Sequence, residues 1–217
     1  MEFRFGILSS HLGTLADGAV VTLVILVIAL ATGVVGGAVV CAGRLSPSTA
    51  VRRVAAAYVT FFRVTPEMIL IFWAYNCIPP LVGIRVSGLV VGSLTLGLVA
   101  AAYLGEIYRA GIEALPRGQF EAARALGLSR WPLWGRVILP QSLRLMVPAF
   151  VNYFTEIVKN TTLLAAIGVA ELALSAYLLG GQTFRYVEFL TAIAFVYFAI
   201  IFPFSLLSRR LEARRGH

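Results

Sequence analysis

Charged side chains are scarce in this 217-residue chain. They make up 13% of it, against roughly 25% in a soluble domain. Lysine occurs once, at Lys159, and aspartate once, at Asp17, while the two histidines, His11 and His217, stand near opposite ends. Each shortage excludes a class of function. A phosphate-binding P-loop needs Gly-Lys-Ser/Thr, and the lone lysine lies between Val158 and Asn160. Any energy from ATP must therefore come from a separate subunit. Two distant histidines cannot build a histidine-rich metal site. The converging His, Asp or Cys residues of an intramembrane enzyme are missing, and His11 with Asp17 and nearby serines is a triad only on paper. No catalytic residue and no metal ligand is assigned. Cys41 and Cys77 sit in or at the end of apolar blocks, at no metal or redox spacing, and read as packing residues.

Apolar residues are what the chain has in excess. They reach 59%, with a mean hydropathy of +0.89, and they come in long blocks such as Val20–Cys41 and Leu190–Leu207. A helix needs about 20 apolar residues to cross the hydrocarbon core. The chain reads as an all-α integral membrane protein, one domain over 1–217, with spans near 14–41, 52–78, 86–110, 138–165 and 185–208. The first block is too long for a signal peptide and lacks a small-residue cleavage site, so it reads as a retained span. Gly33 with Gly37, and Gly88 with Gly92, stand four apart, a spacing that lets helix backbones approach closely in lipid.

The net charge of +8 does not mark a nucleic-acid binder, because the arginines fall between apolar blocks. Arg44, Arg52 and Arg53 follow the first span. Arg109, Arg117, Arg124, Arg130 and Arg136 follow the third, and Arg209, Arg210, Arg214 and Arg215 the fifth. Opposite them lie Arg4, Arg85 and Arg185. By the positive-inside rule the N-terminus is outside and the C-terminus in the cytoplasm.

The connection near 111–137 is longer than joining two helices requires, which makes it a candidate docking surface. It reads as two short helices. Phe120, Ala123 and Leu126–Gly127 line one face of the first, with Arg117, Glu121 and Arg124 on the other. Gly127 offers a break, Ser129 an N-cap for the second helix, and Pro132 is tolerated in its first turn. Alternatively the pair lies in the headgroup region through Trp131 and Trp134.

Residues 121–140 read EAARALGLSRWPLWGRVILP. This resembles the EAA loop of ABC importer permeases, whose pattern is E-A-A, three residues, G, nine residues, then I-x-L-P. Glu121, Ala122, Ala123, Gly127, Leu139 and Pro140 match, and Val137 replaces the first Ile. Three further runs resemble permeases for polar amino acids of the histidine/glutamine/arginine type. They are Ala102–Ile112 leading into Pro116–Gln119, Arg63-Val64-Thr65-Pro66, and Lys159-Asn160-Thr161-Thr162-Leu163 with Ile167–Leu172 after it. The family usually has Gly at Val64, often Asp or Ser at Asn160, and commonly Ser at Thr162. The resemblance covers essentially the whole chain.

It implies a five-helix type I permease with coupling helices in the EAA loop. The ATPase would dock over Glu121–Trp134, through Glu121, Ala122, Ala123, Arg124, Gly127 and Ser129. The alternative for Glu121 is a simple pair with Arg124 or Arg117. ATP and Mg would be bound by cytoplasmic ATPase subunits, with no cofactor in this chain. An extracytoplasmic amino acid-binding protein would deliver substrate, and a second or similar permease chain would complete the pathway in the cell (inner) membrane.

In the fourth span Asn152, Glu156, Lys159 and Asn160 fall at i, i+4, i+7 and i+8, on one helix face. Charges within a span tend to face a cavity or a partner. These residues, with Thr161 and Thr162, form the candidate substrate pathway, an ammonium and a carboxylate suiting the two charged groups of an amino acid. Otherwise Glu156 and Lys159 only neutralise each other in a packed core. Arg63 and Glu67, four apart beside the helix-bending Pro66, read as a structural ion pair, and Glu106 with Arg109 as another. A secondary transporter would show internal repeats and paired broken helices, and no repeat is evident. An importer of another solute is compatible with the same fold.

Overall fold

The structure, a computed structural model, describes residues 5–125, 127 and 129–213, without the side chains of Arg117, Arg124, Arg130, Glu212 and Ala213. Among the described residues it is helical, with no strand. Helix α1 (Leu12–Arg44) has 33 residues, about 50 Å at 1.5 Å per residue, which outruns the ~30 Å hydrocarbon core. Three helices are long and apolar enough to cross a membrane alone, or up to five if each of two bent pairs counts as one span.

The first bent pair replaces the expected second span. Helices α2 (Thr49–Val64) and α3 (Glu67–Val82) meet at 103° rather than forming one rod over 52–78. The cause is local. A residue before proline is pushed out of the α region, and Thr65 is extended at φ −76°, ψ 131°. Proline also has no N–H to continue the ladder, and the new helix starts on the Pro66 carbonyl, which accepts from Ile69 and Leu70. Gly83, at φ +68°, ends α3, and Ile84 N–H closes on the Pro79 carbonyl at 3.2 Å.

Helix α4 (Gly88–Glu113) is the central element, with 61% of its most apolar stretch buried. It packs chiefly on α1, where the glycine spacing does what was expected. A Cβ on Gly33 would stand 2.6 Å from Ala100 Cβ, and one on Gly37 2.9 Å from Leu104 Cβ. On α4, a Cβ on Gly92 would stand 2.7 Å from Leu164. Replacing Gly37 with Leu will therefore force the backbones apart, costing about 1–3 kcal/mol. A lower unfolding temperature of the detergent-purified chain is the readout.

After the short α5 (Arg117–Ala125), one turn at Arg130–Pro132 runs through a π-helical stretch, Leu133–Ile138, into α6 (Leu139–Asn160). The second short helix expected in the loop is thus the front of the fourth span. A 3₁₀ stretch, Thr161–Ile167, then precedes α7 (Leu172–Thr183), bent from the preceding segment by 50°. Helix α7 occupies what the sequence reading left as a connection. Its N-cap is Glu171, fully buried, which accepts from Ala173 N–H at 2.9 Å, Leu174 N–H at 2.8 Å and the Tyr197 hydroxyl at 3.1 Å. Thr22 of α1 accepts from Leu172 N–H at 3.1 Å. Helix α8 (Tyr186–Ala213) closes the described chain. The main core joins Ile25, Ile71, Leu96, Leu104, Ile157 and Leu164, while α1 and α8 turn large apolar residues such as Val27 and Phe195 outward.

Candidate functional site

Two regions gather the residues singled out in the sequence. The first is the EAA-like loop. Pro116 opens α5, its carbonyl accepting from Gln119 N–H at 3.0 Å. Ala123 is buried against Leu115, Leu133 and Ile138, with Phe120 and Ile112 alongside. Three parts of the chain thus meet under α5: the end of α4, the π-helical stretch and, through Leu145, α6. Glu121, Ala122 and Ser129 are exposed, and Trp131 is 89% exposed. Gly127 lies in the left-handed region at φ +71° with nothing near its Cβ position. The Ser129 carbonyl accepts from Leu133 N–H at 3.1 Å. Leu126 and the Arg124 side chain lie outside the described residues.

Behind this loop, α1 and α4 are tied by ions. Glu106 accepts from Arg44 Nε at 2.8 Å and from Arg109 Nη2 at 2.7 Å, and Arg109 also pairs with Glu113. The expected Glu106–Arg109 pair is present. The Arg44 link across 62 residues has no signature in local spacing.

The second region is a polar face along α6. Asn152, Glu156 and Lys159 are all exposed on it. Lys159 Nζ meets Glu156 Oε2 at 2.7 Å, with about half of each side chain open (52% and 51%). This is no packed core. Asn160 donates its amide to Glu67 Oε2 at 2.5 Å, which joins the break in α6 to the break between α2 and α3. Thr162 donates to the Lys159 carbonyl at 2.8 Å. Thr161 departs from the group. It is fully buried and its hydroxyl returns to the Val158 carbonyl at 2.8 Å.

The expected Arg63–Glu67 pair does not form. The 103° break separates the two directions, and each charge sits where a helix dipole favours it, Arg63 in the last turn of α2 and Glu67 in the first of α3. Arg63 instead lies over the Tyr103 ring, 5.0 Å from its centroid. Tyr103 stacks on Tyr153 at 4.8 Å and 20°. Sequence reasoning missed both tyrosines. Their signal was available, since Tyr153 lies three residues before Glu156 on the neighbouring strip of α6.

Three cavities among the described residues are apolar, and none of them is lined by Asn152, Glu156, Lys159 or Asn160. One of about 660 Å³ is lined by Val34, Cys41, Tyr108, Trp134, Leu143 and Met146, among others. The polar face is open to whatever adjoins the chain.

The sequence pattern of the family described as binding-protein-dependent transport system inner membrane component matches residues 33–217. The chain belongs to this family. Among relatives of this permease, the glutamate/aspartate import permease protein GltK of Escherichia coli O157:H7 is 33% identical over 220 residues, covering 98% of each chain. The probable glutamine ABC transporter permease protein GlnP of Bacillus subtilis (strain 168) is 32% identical over 219 residues, covering 99% of this chain and all of its own. A solved structure, the crystal structure of an amino acid ABC transporter with histidines, superposes with a TM-score of 0.88 at 30% identity. It covers 99% of this chain and 100% of that one. The permease is accordingly a multi-pass membrane protein of the type I ABC fold.

Proposed function

We propose that this chain is the permease subunit of an ATP-driven importer of polar amino acids, working by alternating access. One observation carries the substrate class. Relatives named for glutamate/aspartate and glutamine align over nearly their whole length and nearly all of this chain. The polar face supports it, because a zwitterion finds charges of both signs there.

Five spans follow if each bent pair crosses as one, with the N-terminus outside and the arginine-rich connections in the cytoplasm. Cytoplasmic ATPase subunits, holding ATP and Mg, dock on Glu121–Trp134. Ala122, Glu121, Arg124 and Ser129 offer the contact, and Gly127 shapes it. Packing of Ala123 on Leu115, Leu133 and Ile138 passes a push on α5 to both α4 and α6, so the loop and the spans move together. An extracytoplasmic binding protein presents the amino acid, and a second permease chain closes the pathway against the open face carrying Asn152, Glu156, Lys159, Asn160 and Thr162. Thr161, buried behind them, holds the backbone of that strip.

Expression of the tagged chain with its native neighbouring genes tests the assignment. An ATPase subunit will copurify with it in near-stoichiometric amount. A folded chain that brings down no ATPase would overturn the proposal.

A further inference from the structure

The 660 Å³ cavity is a groove along the C-terminal part of α1, from Val34 through Ala38 and Cys41 to Leu45, walled on its far side by α4 and α6. Ala38 is exposed in it, so the groove opens on the surface of the chain. A second groove, of about 640 Å³, follows α1 from Thr32 through Gly36 and Val39 to Gly43, against α2 and α4. Its residues are two out of phase with the first set, which puts it on the other flank of the helix. Val34 to Leu45 and Thr32 to Gly43 each rise about 16 Å at 1.5 Å per residue. That is the depth of one leaflet, half of a ~30 Å hydrocarbon core.

Both grooves end at the loop between α1 and α2. Ser46 and Pro47 border the first, and Ala50 and Val51 the second. Arg52 is fixed over this loop. Its Nη1 donates to the Ser46 and Pro47 carbonyls, both at 2.8 Å, and its Nη2 to the Thr49 hydroxyl at 3.1 Å. A guanidinium has five N–H donors, and these contacts leave Nε–H and one Nη2–H, a fork that matches two phosphate oxygens. Positive charge is in excess here. Arg44 and Arg109 are matched by Glu106 and Glu113, whereas Arg52 and the exposed Arg53 have no carboxylate partner among the described residues. Arginines at a membrane surface attract anionic lipid headgroups by about 1 kcal/mol each.

We propose that Arg52 holds the phosphate of an anionic phospholipid whose acyl chains lie along these two grooves. The lipid belongs to the leaflet on the arginine side, cytoplasmic in the orientation given above. Leaflet depth, an apolar wall and a cation at the mouth together fit an amphiphile one leaflet long, whereas a soluble anion would use only the last of these. The first groove is also walled by Trp134 and Leu139, at the entry to α6. The lipid therefore packs against the base of the loop assigned to the ATPase and braces it from the membrane side. The site does not depend on which solute is carried.

The test uses the full chain with its ATPase partner, stripped of lipid in mild detergent and titrated under native mass spectrometry. The probes are dioleoyl phosphatidylglycerol, dioleoyl phosphatidylcholine and inorganic phosphate. The wild type will bind phosphatidylglycerol at least about fivefold more tightly than phosphatidylcholine, the effect of one surface cation, and millimolar inorganic phosphate will not displace it. Arg52→Gln will weaken phosphatidylglycerol by at least about tenfold, as loss of a charge-assisted pair requires, and Arg53→Gln by about fivefold or less. Ala38→Trp, which fills the first groove without changing charge, will weaken it by at least about tenfold, the equivalent of about two displaced methylenes. Equal affinity for the two lipids, displacement by inorganic phosphate, or an Arg52→Gln effect no larger than that of Arg53→Gln would overturn the proposal. Should Arg52→Gln fail to assemble, undiminished binding in Ala38→Trp has the same force.

Discussion

The double variant Glu121→Arg with Gly127→Trp will lose its ATPase partner while keeping its fold. Both positions are exposed, and nothing stands within 4 Å of the Gly127 Cβ position, so the substitutions strike what docks there rather than the core. Interface hot spots cost about 2 kcal/mol or more each when changed, and two together weaken docking by about 700-fold or more. The left-handed backbone of Gly127, at φ +71°, adds about 1–2 kcal/mol of local strain for any side chain. Gly127→Ala carries that strain without the bulk and will retain most of the ATPase. Copurification stoichiometry, read beside the elution volume of the chain alone, separates the outcomes. An ATPase that stays bound to a folded double variant would show that Glu121 and Gly127 lie outside the contact.

Neutralising the pair on α6, as Glu156→Gln with Lys159→Gln, will reduce amino acid uptake by about 10- to 100-fold. That is the scale of one or two lost hydrogen bonds to charged groups. The double change is more telling than either single one, because it leaves no charge unpaired. An ion pair as open as this one, at 52% and 51% exposure, contributes about 1 kcal/mol or less to stability. A purely structural role would therefore leave uptake and assembly nearly unchanged. Uptake per assembled complex in proteoliposomes is the measurement, and wild-type rates in the double variant would remove Glu156 and Lys159 from the pathway.

Much of this fold was legible in the sequence because lipid imposes simple rules. Block length and hydropathy anticipated helices where α1, α4 and α8 lie, with ends off by up to about five residues, and the four-residue spacing of Gly33 and Gly37 anticipated a close helix approach without naming α4 as the partner. The broken segments were harder. Pro66 announced a bend, but its size depends on where α3 finds its core, through Ile71 against Ile25 and Leu164, and no local signal contains that. Helix α7 was passed over because its 12 residues are too few to cross a bilayer. Its N-cap, Glu171, is recognised as such only when Thr22 and Tyr197 are seen to close around it.

The site shows the same division. Helical periodicity placed Asn152, Glu156 and Lys159 on one face, as the structure does. Helical spacing also joined Arg63 to Glu67, and there it misled, since the rule assumes an unbroken helix. The Glu67–Asn160 contact spans 93 residues and was beyond any local pattern. Paired broken helices, offered as a mark of secondary transporters, occur in this chain too. That feature does not separate the two classes, whereas the family match over residues 33–217 does.

The most direct test of the central claim is uptake of radiolabelled L-glutamate, L-glutamine and L-arginine by proteoliposomes. They would contain the chain with its copurified ATPase, and the binding protein would be added outside. At least one of them will accumulate in a manner that requires MgATP inside and is insensitive to collapse of ion gradients. Accumulation driven by an imposed ion gradient without ATP would contradict that claim.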